Sequence, residues 1–420
     1  MTWIRAFPVF AANDRHMTSS THSATAAERG AARFALFDYG FRPFFLLSGC
    51  YALLIVPIWL YRFAHAATPL GALPAMYWHS HEMIYGFVMA AVAGFLLTAV
   101  PSWTGSRGFA GRPLMVAVGL WIAGRVAMGA VGAVPFWVTA AAELALLPLL
   151  LALLAPPMFR SANRNAPLLA VLVVLWLIDG VFLFALERGD ATLAGDAIRL
   201  AIDFVLILVT VIGGRIVPAF TGSALRARGE AVTVVTRRPV EVMVIAAMVA
   251  IAVVDAFAPD SKWSGALALL AAAVHVIRMS GWRSFRTSGE PILWVMHVAY
   301  VWLPVGLILK ACALLGGAAW AMKWQHALTV GVFATMILAV MTRASLGHTG
   351  RPLKVSPAIA LAYAMLTACT VLRVFGIALF PGHYLFTVSM SGIAWMLCFG
   401  IFLVVYAPIL WLSRADGKPG

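Results

Sequence analysis

Long apolar stretches alternate with short polar segments along almost the whole chain from residue 44 onward. Each stretch is roughly 20 residues long, which at 1.5 Å per helical residue matches a bilayer core of about 30 Å. The stretches are continuously apolar and do not alternate, so they predict helices and argue against a transmembrane barrel. We predict about twelve transmembrane helices, at residues 44–63, 82–101, 113–134, 136–155, 167–187, 197–218, 239–257, 263–280, 291–314, 325–343, 356–379 and 385–412.

The composition strengthens this prediction. Hydrophobic residues make up 63% of the chain and charged residues 11%, with a mean hydropathy of +0.93. A soluble domain is roughly 45–50% apolar and 25% charged, so only a lipid-facing surface suits this balance. The predicted fold class is an all-α polytopic membrane protein. We expect one transmembrane domain at 41–413, with flexible cytoplasmic tails at 1–40 and 414–420.

The net charge of +14 would suit a nucleic-acid-binding protein until the basic residues are placed along the chain. Most of the 30 Lys and Arg residues lie in the two tails and in every second loop. This is the positive-inside bias, and it predicts that both termini face the cytoplasm, with the chain in an inner membrane. The basic balance therefore indicates topology, a lipid bilayer as partner and no nucleic-acid partner.

Short strings recur at an interval of four predicted helices. Ala-Val-Pro-Ser-Trp-Thr-Gly at 99–105 is similar to Ile-Val-Pro-Ala-Phe-Thr-Gly at 216–222, and both close a predicted helix. His81 and His326 each precede a glycine by five residues, in the second and tenth helices. Three four-helix units are one interpretation, and they would resemble the haem–copper oxidase core at the level of fold alone. Chance recurrence of Gly/Pro motifs is the other.

Six of the ten histidines lie in or beside predicted helices. Given the topology, the second and tenth helices begin at the outer interface. His79, His81 and His326 therefore lie near that interface. Imidazole suits haem iron and copper, so we predict an outer site built from His81 and His326 with His79 nearby. His79 and His81 point apart on a regular helix, so they would not share one metal.

A second predicted site lies near the cytoplasmic surface. His275 and His297 fall at matched depth on sequential helices, where two imidazoles can clamp a haem between them. His348, in the loop on the same side, is a candidate third ligand. The alternative for every one of these histidines is hydrogen bonding to a neighbour or proton relay. The chain has no Cys-x-x-Cys-His string, so any haem would be bound non-covalently, and the four scattered cysteines are interpreted as packing residues.

Charged side chains inside predicted helices are costly unless they are paired or hydrated. Glu82, Glu143, Asp179 and Asp203 form a candidate proton path, and Arg125 and Arg373 are candidates to pair with haem propionates. Static ion pairs that set the helix register are the alternative for each of these charges.

Several strings are similar to those of one membrane-protein family, NnrS. They run from residue 40 to residue 353 and so cover nearly the whole predicted membrane domain. The strings are Gly40-Phe-Arg-Pro-Phe-Phe45, Trp78-His-Ser-His-Glu-Met83, the segment 94–105, Leu120-Trp-Ile-Ala-Gly-Arg125, Leu293-Trp-Val-Met-His297, His326-Ala-Leu-Thr-Val-Gly331 and the segment 341–353.

The resemblance implies a bacterial membrane protein that contains haem and copper and is linked to denitrification and to defence against nitrosative stress. With non-covalent haem, we expect haem b, with copper as a second metal. Three functions stay open at this point. The chain could reduce nitric oxide with electrons from quinol, as a nitric oxide reductase-like oxidoreductase. It could be a transporter or channel that uses the same charges as a substrate path, or a non-catalytic haem sensor or accessory protein.

Overall fold

Proline and glycine mark many of the helix boundaries in the computed structural model, which describes residues 33–65 and 73–418. Proline occupies the first turn of five helices, where its missing N–H has no intrahelical partner to lose. Gly105, Gly189 and Gly317 end helices in the left-handed conformation that glycine adopts without steric cost. The local sequence therefore accounts for where the chain turns.

Twelve long helices make up the described part of the chain, with two isolated bridges and no longer strand pairing there. They are α1 (Phe41–His65), α2 (Ala75–Thr104), α3 (Arg112–Gly129), α4 (Phe136–Arg160), α5 (Pro167–Arg188), α6 (Ala191–Ala227), α7 (Arg238–Phe257), α8 (Lys262–Met279), α9 (Pro291–Gly316), α10 (Ala319–His348), α11 (Pro357–Leu379) and α12 (Tyr384–Trp411).

Ten of these helices are long and apolar enough to cross a membrane. The other two, α3 and α8, are 18 residues long each. The all-α polytopic membrane fold predicted from the sequence is confirmed, and each predicted span overlaps one helix. Twelve crossings and three four-helix units stay predictions. Of the predicted tail 1–40, residues 1–32 lie outside the described residues.

Helices α2, α6, α9 and α10 are the most buried of the ten. Helix α6 contacts α5, α7 and α9 and also reaches α2 and α10, while α1 packs between α2 and α12. The helices with the recurring strings, α2, α6 and α10, therefore meet in the interior of the bundle. Most of the remaining helices bury about half or less of their apolar windows inside the protein.

Two of these interior helices share a backbone irregularity. A π-helical segment, Glu82–Val88, begins directly after His81 in α2, and another, Ala327–Ala334, begins directly after His326 in α10. Such i→i+5 turns are rare and concentrate at functional sites. The shared histidine-to-glycine spacing of five thus has a structural counterpart.

The glycines at the end of that spacing both meet an aromatic ring of the preceding helix. A Cβ at Gly86 would lie 2.4 Å from the Tyr51 ring of α1, and a Cβ at Gly331 would lie 2.5 Å from the Trp302 ring of α9. Each π-helical segment is therefore packed against its neighbour at a contact that only glycine permits.

Both described chain ends lie on one face of the bundle, which we call the terminal face. Phe34 forms a bridge with Leu412, and Arg42 at the start of α1 donates to the carbonyl of Leu412 at 2.7 Å. Arg414 donates to the backbone carbonyl of His348 and to the Asp416 carboxylate, and this bond lowers the pKa of that carboxyl to about 2. An even number of crossings places both ends on one face in this way.

Candidate functional site

Four charged side chains surround His81 near the end of α2 that is remote from the terminal face. We call this set, His81 with Glu82, Arg125, Glu143 and Asp179, the carboxylate cluster. His81 is fully buried, its Nδ1 lies 2.9 Å from Glu82 Oε1, and its Nε2 lies 3.0 Å from Asp179 Oδ1 on α5. Both ring nitrogens of His81 are therefore held by carboxylates.

The carboxylates themselves are held by cationic and hydroxyl donors. Arg125 of α3 donates to Glu82 Oε1 at 2.8 Å and also pairs with Glu143 of α4. Tyr51 of α1 donates to the other oxygen of Glu82. Because buried carboxylates are costly without such partners, these bonds explain how Glu82 and Glu143 share one buried region, and Asp179 is held there by its contact with His81 Nε2.

The π-helical segment contributes to this arrangement through its backbone. The carbonyl of Gly86 accepts a hydrogen bond from the indole of Trp121 on α3 at 3.1 Å. The backbone N–H of Met89 donates to the same carbonyl, so the indole of Trp121 uses its second lone pair. The π-helical segment is thus compatible with a cross-link from α2 to α3 next to Arg125.

Three members of the carboxylate cluster have the donor types that bind metal. One ligand atom from each of His81, Glu143 and Asp179 lies within 4.8 Å of the others, and all three residues are buried. His81 Nε2 lies 3.8 Å from Glu143 Oε1. A cavity of about 10 Å³ adjoins them and is lined in part by Gly124 and Arg125. These residues form a candidate metal centre.

A second group of histidines lies at the same end of α2 and α10. The His79 ring stacks on Trp59 of α1 at 4.4 Å between centroids, and the Arg373 guanidinium of α11 lies 5.3 Å from the same indole. His326 interacts electrostatically with His79, Arg373 and Lys323. We call His79 and His326 the outer histidine pair.

The structure thus changes the grouping expected from the sequence. The prediction joined His81 with His326 and kept His79 nearby, whereas the structure brings His79 to His326 and directs both nitrogens of His81 to carboxylates. His79 and His81 point apart, as expected for residues two positions apart on a helix. Binding of haem or copper by the carboxylate cluster or by the outer histidine pair stays a prediction.

The predicted inner histidines lie near the terminal face, each bonded to a different neighbour. His275 Nδ1 lies 2.9 Å from the Tyr300 hydroxyl, and His297 Nε2 lies 2.8 Å from the Thr221 hydroxyl. The Trp282 ring packs edge-on against both His297 and Tyr300. The contacts of the two histidines therefore meet at Trp282 and Tyr300, which the sequence did not single out for this purpose.

Arginine and tyrosine connect this inner group to two more helices. Arg278 donates to the Tyr300 hydroxyl at 2.6 Å, to the Thr210 carbonyl at 2.8 Å and to Glu241 at 2.9 Å. His348 lies apart from these contacts, against the rings of Tyr39 and Phe41 at the terminal face.

One buried charged residue, Asp255, was missed among the sequence-based candidates. Lys310 of α9 pairs with Asp255 of α7, which also accepts a hydrogen bond from Ser264 and is hydrogen-bonded to Asp203 of α6. Asp203 therefore belongs to a different cluster from the other three proton-path candidates. An aspartate within an apolar stretch, as at position 255, is the signal that would have found this group.

Among the described residues, four histidines each have a buried ring nitrogen without a hydrogen-bond partner. These atoms are Nδ1 of His79, Nε2 of His275, Nδ1 of His297 and Nδ1 of His326. A buried polar atom without a partner costs about 1–3 kcal/mol, so such atoms call for a ligand or water. His81 is not among them, which separates it from the other intramembrane histidines.

An apolar cavity of about 90 Å³ lies between α2, α6 and α10, at the junction of the three interior helices. Its lining includes Val88, Val209, Gly213 and Met336, and every residue along it is apolar. A Cβ at Gly213 would lie 3.7 Å from the Tyr300 ring, so the cavity adjoins the inner histidine group. Its apolar lining suits small apolar molecules.

A family model described as NnrS protein matches residues 35–414, a range that includes every residue of the clusters described above. A search of curated proteins found no match to the chain. The match covers far more than half of the 420 residues.

Proposed function

Because the chain belongs to the NnrS family and is therefore a nitric-oxide-related membrane protein, we propose that it binds haem within the membrane and reduces nitric oxide with electrons from quinol. Copper is proposed as a second metal. The observation that carries the proposal is the set of four histidines with a buried, unpartnered ring nitrogen, near the two ends of the bundle.

The outer histidine pair fits a haem better than any other group in the described residues. Its two imidazoles come from different interior helices, and each has a buried Nδ1 without a hydrogen-bond partner. Arg373 and Lys323 provide cationic partners of the kind that haem propionates take. We assign His79 and His326 as the residues that would hold this haem.

The inner group fits a second haem or a copper ion. His275 and His297 keep one unpartnered nitrogen each, and Arg278 supplies positive charge beside them. Their free nitrogens would bind metal, while the bonds to Tyr300 and Thr221 orient the rings as partners of metal-bound histidines do.

The apolar cavity supports nitric oxide as the substrate class. Nitric oxide is a small, uncharged molecule, and the cavity is apolar and lies between the two histidine groups. Bound haem would supply an iron centre for a gas ligand. The cavity residues would exclude water and admit the gas.

The balanced reaction takes two molecules of nitric oxide and one quinol to nitrous oxide, water and quinone. The quinol supplies both electrons and both protons. Glu82, Glu143 and Asp179 near one end of the bundle, and Asp203 in the separate cluster, are proposed to pass protons inward.

Absorption spectroscopy of the purified protein, with the pyridine haemochrome assay and metal analysis, tests the proposal. We expect a haem b spectrum that His79→Ala and His326→Ala each diminish. His383→Ala changes an exposed histidine at the same end of the bundle and should leave the spectrum unchanged. Consumption of nitric oxide under a quinol analogue then separates an enzyme from a haem sensor. A protein free of haem would favour a transporter or channel instead.

A further inference from the structure

We propose that His81, Glu143 and Asp179 bind one divalent transition-metal ion, at a site distinct from the histidines proposed to hold haem. The ligands would be His81 Nε2 and one carboxylate oxygen from each acid. They come from α2, α4 and α5, so the ion would tie together three helices at one end of the bundle. This site does not depend on the presence of haem.

The spacing of the donor atoms suits a single ion. Donors bound at about 2.1 Å lie about 3.0 Å apart when they subtend a right angle and at most about 4.2 Å apart when opposite. His81 Nε2 lies 3.0 Å from Asp179 Oδ1 and 3.8 Å from Glu143 Oε1. Both separations fall within this range, and all three donor atoms lie within 4.8 Å of one another, so an ion fits once the side chains move slightly closer together.

The surrounding bonds are those that metal ligands require. A metal-bound histidine almost always donates its other ring N–H to a carboxylate or carbonyl, and bound carboxylates are themselves hydrogen-bonded. His81 Nδ1 lies 2.9 Å from Glu82 Oε1, and Arg125 pairs with Glu143. Glu82 is fixed in turn by Arg125 and Tyr51. The hydrogen bonds that would orient the metal ligands are therefore already in place around His81.

The charge of the cluster calls for a dication. Three ionised carboxylates and one guanidinium sum to two negative charges when His81 is neutral, as a metal-bound imidazole is, and to one negative charge when both of its ring nitrogens carry a proton. Of the described groups that act on Glu143, only Arg125 and His81 can be cationic. A divalent ion brings the sum to zero, and the alternative is two additional bound protons. The two explanations predict different metal contents for the purified protein, which an experiment can measure.

A separate observation points to a ligand on Glu143. Its Oε2 is buried and has no hydrogen-bond partner among the described residues, and the residue as a whole is 6% exposed. A Cβ at Gly124 would lie 2.8 Å from this oxygen, so glycine is needed for the carboxylate to occupy its place. The adjoining cavity of about 10 Å³ is close to the smallest that holds a water, which would serve as a further ligand.

The donor set narrows the type of ion. One imidazole and two carboxylates favour Mn²⁺, Fe²⁺ or Zn²⁺ over Cu⁺, which prefers thiolate and thioether ligands. The described cysteines are not part of this group. We therefore expect a non-haem divalent ion in addition to any haem iron.

Elemental analysis of the purified full-length protein tests the site, with haem iron subtracted by pyridine haemochrome. We expect about one equivalent of a non-haem divalent metal in the wild type, lost in Glu143→Gln and Asp179→Asn. Asp196→Asn also removes a carboxylate that pairs with an arginine, Arg199, and should retain the metal. Non-haem metal below a tenth of an equivalent in the wild type, or equal amounts in all four proteins, would overturn the proposal.

A binding titration covers the case in which a ligand variant folds poorly. The wild type is stripped with a chelator and titrated with Mn²⁺, and the free ion is counted by its electron paramagnetic resonance signal. Glu82→Gln keeps all three ligands and weakens only their orientation, so it should lower the Mn²⁺ affinity by about 10–100-fold. Unchanged affinity in Glu82→Gln and Gly124→Ala would contradict the site. The haem spectrum of each sample separates this result from failure of the haem proposal.

Discussion

Helices α2 and α10 use the same backbone feature in opposite electrostatic surroundings. Each has a histidine followed at once by a π-helical segment and, five residues later, by a glycine packed on an aromatic ring. His81 in α2 is surrounded by carboxylates, whereas His326 in α10 interacts with Arg373 and Lys323. A repeated backbone unit can therefore present a site for a cation in one helix and a site for an anionic cofactor in another.

Glu82 of α2 and Lys323 of α10 contribute to this difference, and the helices packed around α2 and α10 contribute the rest. The carboxylates Glu143 and Asp179 reach His81 from α4 and α5, while Arg373 reaches the outer histidine pair from α11. His79, on α2 itself, points away from the carboxylate cluster and joins the α10 side. The interior helices supply imidazoles, and their neighbours decide what each imidazole can bind.

The largest expected effect distinguishes the two histidines of α2. His79→Ala should remove the same haem component as His326→Ala, because either substitution breaks a shared site. His81→Ala should keep that component and lose the non-haem metal. Absorption spectra and metal analysis of the three variants check this. Loss of the haem component in His81→Ala and His326→Ala, but not in His79→Ala, would restore the grouping expected from the sequence.

Removal of the central arginine from the carboxylate cluster should strongly destabilise the protein. Arg125→Met leaves Glu82 and Glu143 without their cation, and breaking a buried pair costs about 3–5 kcal/mol. Arg373→Met removes a guanidinium that contacts Trp59, a contact worth about 0.5–2 kcal/mol. Thermal unfolding in detergent compares the two. Equal losses of stability in Arg125→Met and Arg373→Met would show that the carboxylate cluster depends on its arginine no more than the outer histidine pair does.

The two π-helical glycines should respond alike if the segments are equivalent. Gly86→Ala and Gly331→Ala each force a methyl group against a ring, at a cost of about 1–3 kcal/mol. Gly180→Ala, which has open space around its Cβ, is the control and should change stability little. Unfolding midpoints of the three variants test this, and a loss confined to one π-helical glycine would argue against a structural repeat.

The smallest expected effect concerns the apolar cavity between the histidine groups. Val209→Phe places a larger apolar side chain in the lining and should slow nitric oxide consumption several-fold while the haem spectrum is retained. The same substitution at Val249, an exposed position on α7, is the control. A rate that Val209→Phe leaves unchanged would mean that the gas does not pass through this cavity.

Much of the fold could be predicted because bilayer thickness constrains the length of each apolar stretch. The predicted spans overlap the twelve helices. The ends of the spans and of the helices differ by up to about ten residues where π-helical or polar turns extend a helix, as at Ala75 in α2. The histidines of the second and tenth helices could be recognised from depth alone. Asp255 could have been recognised by its charge within an apolar stretch, but its pairing with Lys310 and Asp203 could not, because these partners are on other helices.

The sequence by itself determined the helices, their order and the approximate depth of each histidine and charge, because hydrophobic length and helical rise act along one dimension. Which histidine meets which partner was decided only by the tertiary structure. A side chain's direction around its helix and the identity of the neighbouring helices depend on packing, and a π-helical turn after His81 or His326 shifts that direction. His79 and His81 are two residues apart in sequence, and packing assigns them to different sites.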